Sequence, residues 1–94
     1  MTRRVHVSKR AAEQIRRAAG WWRTNRSAHG LFDSELARGF DLITAHPGIG
    51  IQVISPDDIP GLRRLHLPRI RYSIYYRPTE SETIEVVAVW HSSR

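Results

Sequence analysis

Cysteine is absent from this 94-residue chain, which excludes a cystine scaffold, a thiolate metal site and a cysteine nucleophile. Lysine is almost absent: Lys9 stands alone among 15 basic residues, and the rest are arginine. No apolar run approaches the roughly 20 residues that span a bilayer. Met1 to Arg4 leads into alternating sequence, not into the apolar segment of a signal peptide. No repeat or low-complexity tract breaks the chain. These absences predict one soluble domain over residues 1–94, kept in the cytoplasm.

What is present is positive charge. The 15 basic residues against 9 acidic ones leave a formal charge of +6, unevenly spread. Residues 1–29 hold eight cations and one anion, residues 30–60 hold Arg38 against five carboxylates, and residues 61–94 hold six arginines against three glutamates. A polyanion or an acidic protein is the expected company, and the planar guanidinium fork suits phosphate or carboxylate. The plainer reading of the cationic first third, Arg16 and Arg17 included, is a solvated helix surface.

Val5 and Val7 alternate with polar neighbours as in a short strand, and Ser8 follows as a helix N-cap. Ala11, Ala12, Ile15, Ala18, Ala19 and Trp22 then recur at helical spacing, a single apolar stripe. Gly20 costs that helix about 1 kcal/mol against alanine without ending it. The polar stretch Asn25 to Gly30 is the expected turn. Leu31, Phe32, Leu36, Phe40 and Ile43 mark a second amphipathic helix, which stops at His46-Pro47-Gly48 because proline disfavours helical geometry in the residue before it. Residues 47–61 are rich in proline and glycine and predict a structured loop with a brief extended stretch at Ile51 to Ile54.

Beyond residue 61 the period drops from about 3.6 residues to 2. Leu62 to Leu67, Ile70 to Arg77 and Ile84 to His91 read as three strands, the last two joined as a hairpin through Pro78 to Thr83. Strict alternation puts Ile70, Tyr72, Ile74 and Tyr76 on one face and Arg71, Ser73, Tyr75 and Arg77 on the other. In the last strand it assigns Ile84, Val86, Ala88 and Trp90 to the core and Glu85, Val87, Val89 and His91 to the open face. The expectation is an α+β domain of order β-α-α-β-β-β, with a helical hairpin packed on one face of a mainly antiparallel sheet.

Three segments carry a likeness to a known group of proteins. They are Pro60-Gly61-Leu62-Arg63-Arg64-Leu65 entering a strand, the basic and aromatic run Arg69-Ile70-Arg71-Tyr72-Ser73-Ile74-Tyr75-Tyr76-Arg77, and the apolar ending Glu85-Val86-Val87-Ala88-Val89-Trp90-His91. In these, and in element order, the chain resembles the RelE/ParE superfamily of toxins from bacterial type II toxin-antitoxin pairs. The resemblance implies a cognate antitoxin partner in a hetero-oligomer, no cofactor and no membrane. It also implies one of two targets: DNA gyrase for ParE-like members, or messenger RNA on the ribosome for RelE-like members, which are endoribonucleases.

Metal-free RNA cleavage needs a proton acceptor, positive charge on the developing phosphorane and an acid for the leaving oxygen. If the chain is a ribonuclease, Arg64, Arg71, Tyr75 and His91 are the candidates for phosphate binding, base stacking and proton transfer. The strand Leu62 to Leu67 contains neither a carboxylate nor a lysine, and Asp57 and Asp58 would have to fold back toward the face. That shortage favours the ParE-like branch, with no catalytic residue in the toxin itself. Arg16, Arg17, Trp21, Arg63, Arg71, Tyr75 and Arg77 are then the expected contacts to target or antitoxin. Trp21 and Trp22 are consecutive on a helix and cannot both face the core, so Trp22 is assigned to the core and Trp21 either to the surface, where it suits a protein interface, or to partial burial against the second helix or the following loop. His6, His29, His46 and His66 lack ligand spacing, so no metal is expected. A third reading is a non-catalytic nucleic-acid-binding domain.

Overall fold

The structure, a computed structural model, describes residues 4–25, 30–54, 59–79 and 81–92. Residues 26–29 of the turn expected over Asn25 to Gly30, and the placement of Asp57 and Asp58, lie outside these. Strand β1 (Arg4–Val7) leads through Ser8 into helix α1 (Lys9–Asn25), and helix α2 (Leu31–Ala45) follows. The rest is strand: β2 (Ile51–Gln52), β3 (Arg63–Leu67), β4 (Tyr72–Pro78) and β5 (Thr83–His91). The five strands form one sheet in the order β1-β5-β4-β3-β2. Strand β1 runs parallel to β5, and the other pairings are antiparallel. The extended stretch expected at Ile51 to Ile54 is thus a real but two-residue edge strand, added to the expected element order.

Ser8 caps α1 as its position suggested, and it does more. Its hydroxyl accepts from the Ala11 amide at 3.0 Å and donates to the Val87 carbonyl at 3.0 Å, while its own amide bonds Val86 at 3.0 Å. One helical turn later, Gln14 Oε1 accepts from the Val89 amide at 2.8 Å. β1 ends opposite Val86, so these bonds from α1 satisfy part of the β5 edge that no strand covers.

The helices bury Ala11, Ala18 and Trp22 of α1 and Phe32, Leu36 and Ile43 of α2 against Leu67, Ile74, Tyr76, Ile84, Val86 and Val89 of the sheet. Gly39 allows α2 its close approach: a Cβ there would stand 2.8 Å from Ile74 Cδ1 and 3.1 Å from Leu67 Cδ2. Glu35 is buried on α2, where Arg38 Nη2 reaches it at 3.0 Å and Arg69 Nη1 at 3.6 Å. The Arg38 hydrogen bonds hold this carboxyl below its ordinary value against the opposing pull of burial, and the positive charges of Arg38 and Arg69 add to the lowering. Arg69 lies in the β3–β4 turn, so this cluster ties that turn to α2.

Two expectations fail here for identifiable reasons. Ile70 and Arg71 belong to the turn and not to β4, and Arg71 has a left-handed backbone at φ 60°. In β5 the alternation breaks. Tyr75 pairs with Ala88 but Tyr76 pairs with Val86, so Val87 is an extra residue, a β-bulge. Beyond a one-residue bulge every side chain changes face. Val89 and His91 therefore point toward the helices, while Ala88 and Trp90 point to the open face, the reverse of strict alternation.

Candidate functional site

Side chains of register partners on neighbouring strands share a face, so the open side of the sheet can be laid out in rows. One row runs His6, Glu85, Arg77; the next runs Ala88, Tyr75, Arg64, Ile51; the third runs Trp90, Ser73, His66. Arg77 Nη2 bonds Glu85 Oε1 at 3.0 Å, so this cation is already paired. Beside that pair lies a groove of about 460 Å³, walled by His6, Ile59 and Pro60. In the middle row Arg64 has no ion-pair partner among the described residues. Tyr75 and Trp90 lie with ring centroids 5.8 Å apart, and Trp90 is 48% exposed.

At the far end of this face, His66 Nδ1 lies 2.9 Å from Ser92 Oγ and 3.3 Å from Ser73 Oγ, and the two hydroxyls are 3.0 Å apart. The triangle satisfies the buried Ser73 hydroxyl and holds the imidazole on the open face. The Arg71 carbonyl accepts from the Ser92 amide at 2.6 Å, which carries the β4–β5 ladder one bond past Tyr72 and His91.

The four ribonuclease candidates are not assembled. Arg64 and Tyr75 are register neighbours on the open face, and Arg71 is exposed in the turn at the sheet's end. His91 is on the other side, edge-on to Tyr72 at 5.2 Å, and Tyr72 in turn meets Phe32 at 5.3 Å. The imidazole that sequence reasoning picked is thus an extension of the aromatic core.

Arg63 also faces the helix side, beside its register partner Tyr76. Its Nη1 donates to the Gly50 carbonyl at 2.7 Å and, at 3.4 Å, to that of Gly48. Tyr76 completes the clamp: its hydroxyl donates to Pro47 O at 2.7 Å and accepts from the Gly50 amide at 2.9 Å. Burial pushes the Tyr76 phenol above its ordinary value, outweighing the Gly50 hydrogen bond and the charge of Arg63. On α1, Arg16 and Arg17 are exposed and both pair with Glu13, and the exposed Trp21 follows Arg17 one turn later.

His66, Ser92 and Trp90 are the residues of this face that sequence reasoning missed, whereas the alternation had already placed Ser73 there. His66 shares the alternation of Arg64 on β3, and that signal was available. Trp90 needed the bulge, which the run Val86-Val87-Ala88-Val89 hides because consecutive small apolar residues show no period. Among the described residues, no group of three or more histidines, aspartates or glutamates is placed to hold a metal ion, and no helix is long and apolar enough to cross a membrane.

Two helices over a mainly antiparallel five-stranded sheet place the chain in the RelE/ParE class of toxin folds. The chain belongs to the ParE toxin family of the type II toxin-antitoxin system parDE, which matches residues 5–94. Among solved structures, it is similar to the chromosomal ParDE toxin-antitoxin system from P. aeruginosa, with a TM-score of 0.70, 14% identity and 96% of each chain covered. It is also similar to the isolated RelE toxin of E. coli, with a TM-score of 0.66, 16% identity, and 98% of this chain and 86% of that one covered. A free mutant form of E. coli RelE superposes with a TM-score of 0.56 at 16% identity, over 98% of this chain and 85% of that one. No curated protein matches the chain significantly.

Proposed function

We propose that this chain is a cytoplasmic toxin that inhibits DNA gyrase through protein contacts, and that a cognate antitoxin neutralises it in a hetero-oligomeric complex. In this reading gyrase supplies the chemistry and the toxin supplies none. The observation that carries it, beside family membership over residues 5–94, is the position of His91. It lies against Tyr72 on the helix side, one sheet thickness from Arg64 and Tyr75. A metal-free nuclease needs its proton carrier on the same face as its phosphate-binding arginine.

Of the expected contacts, Arg16, Arg17, Trp21 and Arg71 are exposed, and Arg63, Tyr75 and Arg77 are half-buried. Arg16, Arg17 and Trp21 form a cationic and aromatic patch on α1, suited to an acidic segment with an apolar anchor. Such a partner covers part of the +6 charge. Arg63, Arg71, Tyr75 and Arg77 contribute unequally: Arg71 is exposed and Tyr75 lies on the open face, whereas Arg63 and Arg77 are already engaged within the fold.

The ribosome-dependent endoribonuclease remains as a second reading because His66 stands on the open face with Arg64 and Tyr75. Gyrase supercoiling with the purified chain separates the two. The gyrase reading expects lost supercoiling with accumulation of cleaved DNA, reversed by the antitoxin, and filamentous cells after induction. Unaffected gyrase together with mRNA cut at codon-defined positions on the ribosome contradicts it.

A further inference from the structure

We propose that the free β2 edge of the sheet is a self-association site, where the strand pairs antiparallel with that of a second copy of this chain about a two-fold axis at Gln52. The inference does not rest on the gyrase reading. β2 is outermost in the sheet, and no described strand covers its outer side. The Val53 amide donates to the Leu62 carbonyl at 3.0 Å, and in an antiparallel ladder the residue before it then turns its N–H and C=O away from the partner strand. That residue is Gln52, aimed outward. Around it Ile49, Ile51 and Ile54 are 42%, 57% and 97% exposed, three of the five large apolar side chains exposed among the described residues. Tyr76 Oη and Arg63 hold Gly50 by its amide and its carbonyl, so the edge is set in place before a partner arrives.

Charge and shape select the occupant. Residues 42–56 contain no Asp, Glu, Lys or Arg, the longest such stretch in a chain of net charge +6. A polyanion or an acidic peptide finds no cation on this strand, and a second copy finds no like charge on it. Pairing about Gln52 sets Ile51 opposite Val53 of the second copy, two apolar side chains on one face. It also lays Ile54 over the second copy's Gly50, which has no side chain to obstruct it. Arg64 stands beside Ile51. Its own copy lies three strand spacings away, about 14 Å, beyond the Debye length of about 8 Å at physiological salt. The opposite edge is unlike this one, because β1 begins with the exposed Arg4, and Ser8 and Gln14 occupy β5 beyond it. Self-pairing therefore uses up the β2 edge and closes at two copies. A short edge buries little area, which makes the dimer weak.

The test is sedimentation equilibrium of the purified full chain from about 10 to about 500 µM, a range suited to a small, weak interface. A monomer–dimer equilibrium is expected, tighter at high salt because salt screens the repulsion between two chains of +6. Ile51→Lys places a charge at the centre of the contact and weakens dimerisation by about tenfold or more. Gln52→Pro removes the outward N–H, a change that edge strands tolerate, and weakens it too. Ile51 is exposed, so an unchanged thermal midpoint of Ile51→Lys at low concentration shows that this variant folds. In hydrogen exchange, protection of the Gln52 amide rises with protein concentration. Three results overturn the proposal: a monomer throughout the range, association indifferent to Ile51→Lys, or a mass that grows past two copies.

Discussion

Arg63 and Arg64 are consecutive in sequence and opposite in circumstance. The pleat turns Arg63 toward the helix side, where loop carbonyls of Gly48 and Gly50 occupy its guanidinium. Arg64 is turned to the open side, where it stands in one row with Tyr75 and Ile51. The same division separates His91 from Trp90 at the far end of the sheet, one inside an aromatic chain and the other exposed. The lesson is that a basic or aromatic residue type says little about function until its face is known. In this fold the helix side engages Arg63 and Tyr76 with the loop backbone, whereas on the open side Arg77 and His66 are engaged and Arg64 has no ion-pair partner among the described residues.

That contrast predicts unequal costs. Phe32→Ala, at a fully buried ring touching Trp22 and Tyr72, destabilises by about 3–5 kcal/mol in urea denaturation. Next comes the clamp on residues 47–50. A Cβ at Gly50 would lie 2.8 Å from both Arg64 O and Tyr76 Oη, so Gly50→Ala costs about 1–3 kcal/mol by overpacking. Tyr76→Phe costs a comparable 1–3 kcal/mol, roughly the penalty for leaving the buried Gly50 amide and Pro47 carbonyl without their partner. A smaller cost in either variant would mean that the clamp is not a rigid part of the helix side.

A pH series sharpens the comparison. Glu35 has a lowered folded-state pKa, so folding favours its ionised form. Its contribution is complete above the ordinary value of 4.5 and disappears as pH falls through the lower folded value. Thermal midpoints of the wild type should therefore fall more steeply on the acid side of pH 4.5 than those of Glu35→Gln, and parallel curves would remove the cluster from the account. The smallest effect on stability belongs to the open face: Arg64→Ala shifts the unfolding free energy by no more than about 0.5 kcal/mol. A large loss there would make Arg64 structural and erase the distinction from Arg63.

Much of this was legible before any coordinates. The two helices, Ser8 as the cap, the stop at His46-Pro47 and the inward Tyr72, Ile74 and Tyr76 all follow from spacing, because a stripe or an alternation is repeated several times within one element. What was not legible depends on single residues without a repeat. The bulge at Val87 is one extra position in an apolar run, and it exchanged Trp90 for His91. The left-handed Arg71 carries no glycine or asparagine signature and so read as strand. Arg63 looked free because its partners, the carbonyls of Gly48 and Gly50, are backbone atoms that any residue type supplies.

The two-sided sheet rests on that bulge, and a nuclear Overhauser spectrum of the aromatic side chains tests it most directly. Cross-peaks from the His91 imidazole to the Tyr72 ring, and from the Trp90 indole to the Tyr75 ring, are the expected result. Cross-peaks from His91 to Tyr75, with Trp90 reporting instead to Tyr72, would contradict it and return the histidine to the face that Arg64 occupies.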